Sequence, residues 1–414
     1  MAEIKVPFHR AAITKAEEDA VLDVLRSGWL TTGRYSLEFE KKFTAAVSDT
    51  KQMAENRSAM ELSTAEITSL AVNSNTSGMI LAMEACGVRE GTAVITTPYT
   101  FVSTAACARH LNADVYFADV EKDTYSIDPD KIEEILKKDA ANGHKVRAIV
   151  PVHIAGNVCN MKRILELAKK YSTAENRIRV IEDAAHSFPS PTALGYAGAI
   201  GDAGVFSFYV TKTITTAEGG MVCTRDPELV RRMTVMRMHG MDRTTWDRYT
   251  SPRASWEYDI IAPGYKFNLP DVLAAIGCCQ VDRAQLFYEQ RKRIVEKYNE
   301  AFSKLDFIKL PPDGEGNSWH LYLMRIIPEK LKIGRDEFAK KMQEAGLGIS
   351  VHFIPIFHFT YWKELYPDFT AENYPNAEHQ YCTTISIPLF PDMTDEQAQL
   401  VIDTVTKIGA ENKK

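Results

Sequence analysis

The 414-residue chain reads as an α/β protein: a large domain on a mostly parallel sheet, then a smaller α+β domain. Two observations predict this. Between residues 70 and 224, seven short apolar runs alternate with amphipathic stretches, the rhythm of a parallel sheet with helices on both faces. Residues 284–305 then form one long charged helix, with Ile294, Tyr298, Phe302 and Leu305 at helical spacing, and the pattern behind it changes. At roughly 150 residues per domain the length agrees. The division falls at 1–283 and 284–414.

The elements follow in order. Thr14 and Glu17 form a capping box, Val21, Leu22 and Leu25 supply a stripe, and Gly28 stops the first helix. Residues 28–33 are a glycine- and threonine-rich turn. Leu37, Phe39, Phe43 and Val47 mark a second helix. Residues 49–66 are polar and weakly patterned, a surface insertion that is partly helical. Strands are predicted at 70–72, 93–97, 114–117, 148–152, 179–182, 204–207 and 221–224. Helices are predicted at 77–86, 103–110 and 162–170, with another starting from the cap Asp128 and Pro129. Past Pro311 and Pro312 come strands at 320–326 and 349–354. A last helix is capped by Thr394, with Gln397 three residues on.

Composition narrows the function classes. Hydrophobic residues are 45% and charged residues 25%, ordinary globular values that exclude a disordered or low-complexity chain. The net charge of −6 supplies no basic excess for phosphate backbones, so nucleic acid is not an expected partner. Seven cysteines include no CxxC pair, and Cys278 and Cys279 are adjacent, poor geometry for a bridge or a zinc site. No metal is expected. The opening MAEIKVPFHR carries acids and a proline where a signal peptide needs an apolar core, and no run of about 18 apolar residues occurs. A soluble, cytoplasmic protein is the expectation, with no membrane partner.

Three stretches carry chemistry. In FSFYVTKTITTAEGG (206–220), Lys212 follows a strand end among hydroxyls, ahead of two glycines, and Ser207 and Thr211 stand beside it as anion ligands. In IEDAAHSF (181–188), Asp183 lies at the same sheet edge, where a carboxylate is costly unless it meets a cation. His186 either packs or orients Asp183. In VNSNTSGM (72–79), a strand gives way to Ser74, Asn75, Thr76 and Ser77 at a helix start, a phosphate cradle. A lysine that condenses with an aldehyde, a carboxylate for a protonated ring nitrogen and a phosphate cradle are what pyridoxal 5'-phosphate requires. Phe101, in PYTFVST (98–104), is placed to cover the ring.

With these motifs the chain resembles the DegT/DnrJ/StrS family of sugar aminotransferases, a branch of the fold-type I, aspartate-aminotransferase-like enzymes. The resemblance runs from SGWLTTG (27–33) through GDAGVFSF and EGG to SVHFIPIF (350–357) and ISIPLFPDMT (385–394). It implies that Lys212 bonds the cofactor, that Asp183 partners the pyridine nitrogen and that His186 lies near the ring. Asn75, Thr76 and Ser207 then hold the phosphate, and Phe101 stacks. The implied reaction moves an amino group from glutamate to a nucleotide-linked keto-sugar, in amino-sugar or polysaccharide biosynthesis. A sugar dehydratase, which replaces the lysine by histidine, a cyclitol aminotransferase and a non-catalytic regulator are the rival readings. Where the family reads Gly-Tyr-Asn-Tyr-Arg, this chain has Gly264-Tyr265-Lys266-Phe267-Asn268. In the family that turn reaches the neighbouring subunit's phosphate, so Lys266 or Asn268 does so here in a homodimer with shared sites. The cradle's lack of fixed positive charge makes the same demand. Trp29, Thr31 and His352 are expected on the substrate side, with Arg243, Trp246 and Arg248 as ligands for a nucleoside diphosphate.

Overall fold

The computed structural model describes residues 4–242 and 257–414. The expected ligands Arg243, Trp246 and Arg248 lie outside the described residues. Three helices come first: α1 (Lys15–Ser27), α2 (Arg34–Ala46) and α3 (Lys51–Ala59). Thr14 and Glu17 close the capping box of α1, and Gly28 ends it in the left-handed conformation. Then strands and helices alternate: β1 (Thr68–Val72), α4 (Asn75–Ala85), β2 (Ala93–Thr96), α5 (Ser103–His110), β3 (Asp114–Phe117), α6 (Pro129–Ala141), β4 (Val146–Ile149), α7 (Met161–Tyr171) and β5 (Arg179–Asp183). A small hairpin of β6 (Pro191–Thr192) and β7 (Gly195–Tyr196) precedes β8 (Ala203–Ser207) and β9 (Gly220–Thr224). Next come α8 (Pro227–Met236), α9 (Asp271–Asp282) and α10 (Ala284–Phe302).

Seven strands form one sheet in the order β1-β9-β8-β5-β4-β2-β3. Only β9 runs against its neighbours, pairing antiparallel with β1 and β8. Both faces are buried, as crossover helices require. Val94, Ala148 and Ile181 join one apolar cluster, while the alternate residues Ile95, Ile149 and Val180 join another on the opposite face. Six of the seven strands therefore end at one edge, where a crevice forms.

A three-stranded antiparallel sheet follows: β10 (Ile308–Lys309), β11 (Tyr322–Ile326) and, after α11 (Arg335–Glu344), α12 (Thr360–Leu365) and α13 (Pro375–Thr383), β12 (Thr384–Ile387). The last helix, α14 (Asp395–Glu411), has the Thr394–Gln397 capping box. Ile294, Tyr298 and Phe302 of α10 pack with Val401 and Val405 of α14 and with Val6 from the amino-terminal segment.

One expectation needs correction and another gains detail. Residues 349–354 are not a strand: they pair with β12 only at Ser350, because residues 351–353 leave the ladder to line a cavity. The 49–66 stretch lies at the surface and is helical in part, as expected, and one buried side chain anchors it. Arg57 of α3 is 1% exposed and donates to the carbonyls of Ser63, Leu194, Ala199 and Ile200. Asp49 is the acid beside it, shared with Arg225. Its polar sequence reflects a buried cation satisfied by backbone oxygens. Among the described residues, no helix is long and apolar enough to cross a membrane.

Candidate active site

The ends of β1, β2, β5 and β8 surround a cavity of ≈ 480 Å³. Asp183, the last residue of β5, is 4% exposed at its wall. Period-two alternation sends its neighbour Glu182 to the other face. Asp183 accepts from Thr104 Oγ1 (2.7 Å) and from the Ala185 amide (3.1 Å). Burial pushes its pKa above the ordinary carboxylate value, against those two hydrogen bonds and the field of Lys212. Among the described residues, no lysine or arginine forms an ion pair with this carboxylate.

Glu182 is structural. Its carboxylate accepts from the amides of Gly198, Ile200 and Gly201 and meets His153 Nε2 at 2.9 Å. Glu182 draws the His153 pKa upward, opposing burial. The Cys159 amide donates to Nδ1, which requires a lone pair there, so we take the ring as neutral with Nε2–H donating to Glu182.

Lys212 lies in the loop between β8 and β9, its amide donating to the Tyr209 carbonyl. The residue is half-buried and its ammonium is enclosed by protein. Burial pushes its pKa down to about 8, against the pull of Asp183. Ser207, Thr211, Glu218 and Gly219 line the same wall.

The floor is the start of α4. Ser74 caps the helix, its Oγ accepting from the Ser77 amide, and Asn75 and Thr76 face the cavity. The Asn75 side-chain amide donates to the Val205 carbonyl at 2.9 Å, tying α4 to β8. The helix offers an anion its first-turn N–H groups, which have no intrahelical acceptor, together with hydroxyls. Two glycines permit the arrangement. A Cβ on Gly78 would stand 2.6 Å from a methyl of Val205, and one on Gly220 would stand 2.8 Å from the Asn75 amide nitrogen.

Phe101 lies at the mouth, 58% exposed, with its ring 6.2 Å from that of Phe353. His186 also lines the cavity, its ring 5.6 Å from that of Phe353, with Nδ1 accepting from the Ala155 amide at 3.1 Å. His352 and His320 line it too. Burial pushes the pKa values of His186 and His320 well below 6.5, and that of His352 down to about 4.

The cavity thus gathers Lys212, Asp183, His186, Asn75, Thr76, Phe101, Ser207 and His352. It does not gather Trp29, Thr31, Lys266 or Asn268. The 28–33 turn is held by α9: Asp271 accepts from the amides of Gly33, Tyr35 and Ser36. Trp29 Nε1 donates to the Thr32 carbonyl. Lys266 donates to Asn268, and Asn268 to Thr32 Oγ1. Sequence reasoning missed Thr104 and His320. Thr104 stood in the quoted PYTFVST, and His320 opened a predicted strand; neither has a local pattern that sets it apart from packing.

Fold and site together define a fold-type I enzyme of the aspartate-aminotransferase-like class. The chain belongs to the DegT/DnrJ/EryC1/StrS aminotransferase family, whose model matches residues 11–406. It is similar to the spore coat polysaccharide biosynthesis protein SpsC of Bacillus subtilis, at 36% identity over 406 residues, 97% of either chain. Among solved structures it resembles the putative sugar aminotransferase Spr1654 of Streptococcus pneumoniae in its PMP-form. That match has a TM-score of 0.86 and 29% identity, over 98% of this chain and 100% of the other. PseC of Helicobacter pylori, an aminotransferase involved in the biosynthesis of pseudoaminic acid, matches with a TM-score of 0.82 and 25% identity. That likeness covers 98% of this chain and 99% of PseC.

Proposed function

We propose that this protein is a sugar aminotransferase that uses pyridoxal 5'-phosphate to move an amino group from glutamate to a keto-sugar carried on a nucleoside diphosphate. One observation carries the reading: a buried amine and a buried, under-compensated carboxylate share a cavity floored by a helix N-terminus. These residues fit the cofactor. Lys212 would bond its aldehyde carbon, Asp183 would serve its ring nitrogen, the first turn of α4 with Ser207 would take the phosphate, and Phe101 would cover the ring. When bound, the protonated ring withdraws electrons from the carbon that carries the amino group.

The chain's own groups supply the rest. With a pKa of about 8, Lys212 Nζ exchanges a proton readily near neutral pH, the property a general acid/base needs. Asp183, pinned by Thr104 and Ala185, keeps its charge in one place. The intact lysine argues against the dehydratase, and lysine with aspartate argues against a regulator. The SpsC, Spr1654 and PseC likenesses support a sugar as the acceptor. The same reading takes residues 1–283 and 284–414 as the two domains and assigns Lys266 or Asn268 to the partner's cradle in a homodimer.

The test uses the loaded enzyme without acceptor. Glutamate should yield one equivalent of 2-oxoglutarate per site, and a nucleotide-linked keto-sugar should restart turnover. Failure with every amino donor refutes the transaminase reading. Borohydride should fix the cofactor to Lys212, and Lys212→Ala should abolish fixation and activity together.

A further inference from the structure

A carboxylate that is to hold a ring nitrogen protonated must itself be ionised, and burial works against that at Asp183. What opposes the burial comes from its neighbours. The Ala185 amide, which can only donate, serves Oδ1 at 3.1 Å. Oδ2 is served by the Thr104 hydroxyl at 2.7 Å, across 79 positions of sequence.

Thr104 lies in the first turn of α5 and has no exposed surface, so water cannot replace its hydroxyl. That hydroxyl carries one proton and has two acceptors in reach. One is Asp183; the other is the Phe101 carbonyl three residues back, at 3.3 Å, where a helical threonine ordinarily bonds. The closer, charged acceptor takes the proton. Thr100 Oγ1 stands 3.0 Å from Thr104 Oγ1. With the Thr104 proton committed to Asp183, Thr100 is the donor of that pair. Two hydroxyls then point one way, from Thr100 to Thr104 to the carboxylate, and each bond polarises the next. A protonated Asp183 would undo this order, because its own O–H would take the Thr104 oxygen and release the Thr104 proton to Phe101. The helix that carries Thr104 is fastened to the cradle: Cys107 Sγ donates to the Thr76 carbonyl at 3.5 Å.

Resting on the aminotransferase reading, we propose that Thr104, backed by Thr100, is the positioning residue that keeps Asp183 an anion for the cofactor's ring nitrogen. Thr104 touches neither cofactor nor substrate; it acts through Asp183. The bland alternative is a packing threonine bonded to its own helix, and the two differ in one respect. Only the positioning role depends on a nitrogen in the ring.

A double-mutant cycle between protein and cofactor tests this. The cofactors are pyridoxal 5'-phosphate and its 1-deaza analogue, which has C–H in place of the ring nitrogen; equilibrium dialysis against the full chain gives the dissociation constants. Wild type should bind the nitrogen-containing cofactor more tightly. Thr104→Val, equal in shape but without the hydroxyl, should weaken that binding about tenfold or more and change binding of the analogue by less than about twofold. Thr104→Ser, which keeps the hydroxyl, should stay within about threefold of wild type for both. Equal losses with both cofactors, or a serine variant as weak as the valine variant, overturn the proposal. Should Thr104→Val fold poorly, Thr100→Val decides: it should lose about threefold in affinity for pyridoxal phosphate alone. The same loss with the analogue, or no loss with either, overturns it. If wild type binds the two cofactors equally, Asp183 meets no ring nitrogen. That result refutes the reading's use of Asp183 and takes the proposal with it, whereas equal losses in the variants refute the proposal alone.

Discussion

Lys212 shows how a reactive group strains the fold that holds it. Its folded-state pKa of about 8 lies below the unfolded value of 10.5, so between those values the unfolded chain binds more protons. Stability of the cofactor-free protein should therefore rise as pH climbs through that window and carry the full penalty below it. The drop corresponds to about 3 kcal/mol, reduced to about 2 because the residue is only half-buried. Lys212→Met should accordingly stabilise the cofactor-free protein by about 2 kcal/mol at pH 7, with the gain gone by about pH 10.5. Urea unfolding at both pH values measures it. A loss of stability at pH 7 would show that the amine is not a buried charge in the native state.

At the scale of elements, the contact of α4 with β8 and β9 decides whether the cradle exists. A Cβ on Gly220 would meet the Ser74 carbonyl carbon at 2.7 Å and the Asn75 nitrogen and Phe206 oxygen at 2.8 Å, all of them backbone. Gly220→Ala should thus push the helix start off the sheet and weaken cofactor binding about tenfold or more, at a stability cost of about 1–3 kcal/mol. Equilibrium dialysis of pyridoxal phosphate checks the first effect. The α3 segment makes a different point. Arg57 joins the Asp49–Arg225 group and four carbonyls far from the cavity. Arg57→Ala should cost about 3 kcal/mol in urea unfolding while leaving the 2-oxoglutarate yield per folded site unchanged.

For the whole molecule, the prediction is a pocket made by two chains. The cavity of one chain contains hydroxyls and N–H groups for a phosphate but no fixed cation besides Lys212 among its described residues, and Lys266 stands outside it. A phosphate of roughly two negative charges calls for one. Mixing Lys212→Ala with a Lys266→Ala/Asn268→Ala double variant should restore activity, because a mixed dimer holds one pocket with both lesions and one with neither. About a quarter of wild-type activity is the expected yield when half the dimers are mixed and each has one intact pocket. Mixtures as inactive as their parents, after demonstrated exchange, rule out sharing.

Local chemistry was legible where it followed a short period or a cap. The alternation of strands and helices, the capping boxes at Thr14 and Thr394, and the placement of Lys212 and Asp183 after strand ends are all written in neighbouring residues. The sequence by itself therefore determined the fold class, the family and the two residues at the centre of the cavity. Tertiary structure decided what depends on distant partners. The 349–354 run has strand composition, yet residues 351–353 turn to the cavity. Arg57 lies in a stretch whose pattern is only polar, yet carbonyls more than a hundred residues away enclose it. That the Asn75 side-chain amide ties α4 to β8 follows from Val205, 130 positions later in the chain. His320 reaches the cavity lining beside His186, 134 positions earlier in the chain. Burial and hydrogen bonding are properties of three-dimensional neighbours, and no local pattern encodes which neighbours a folded chain will bring.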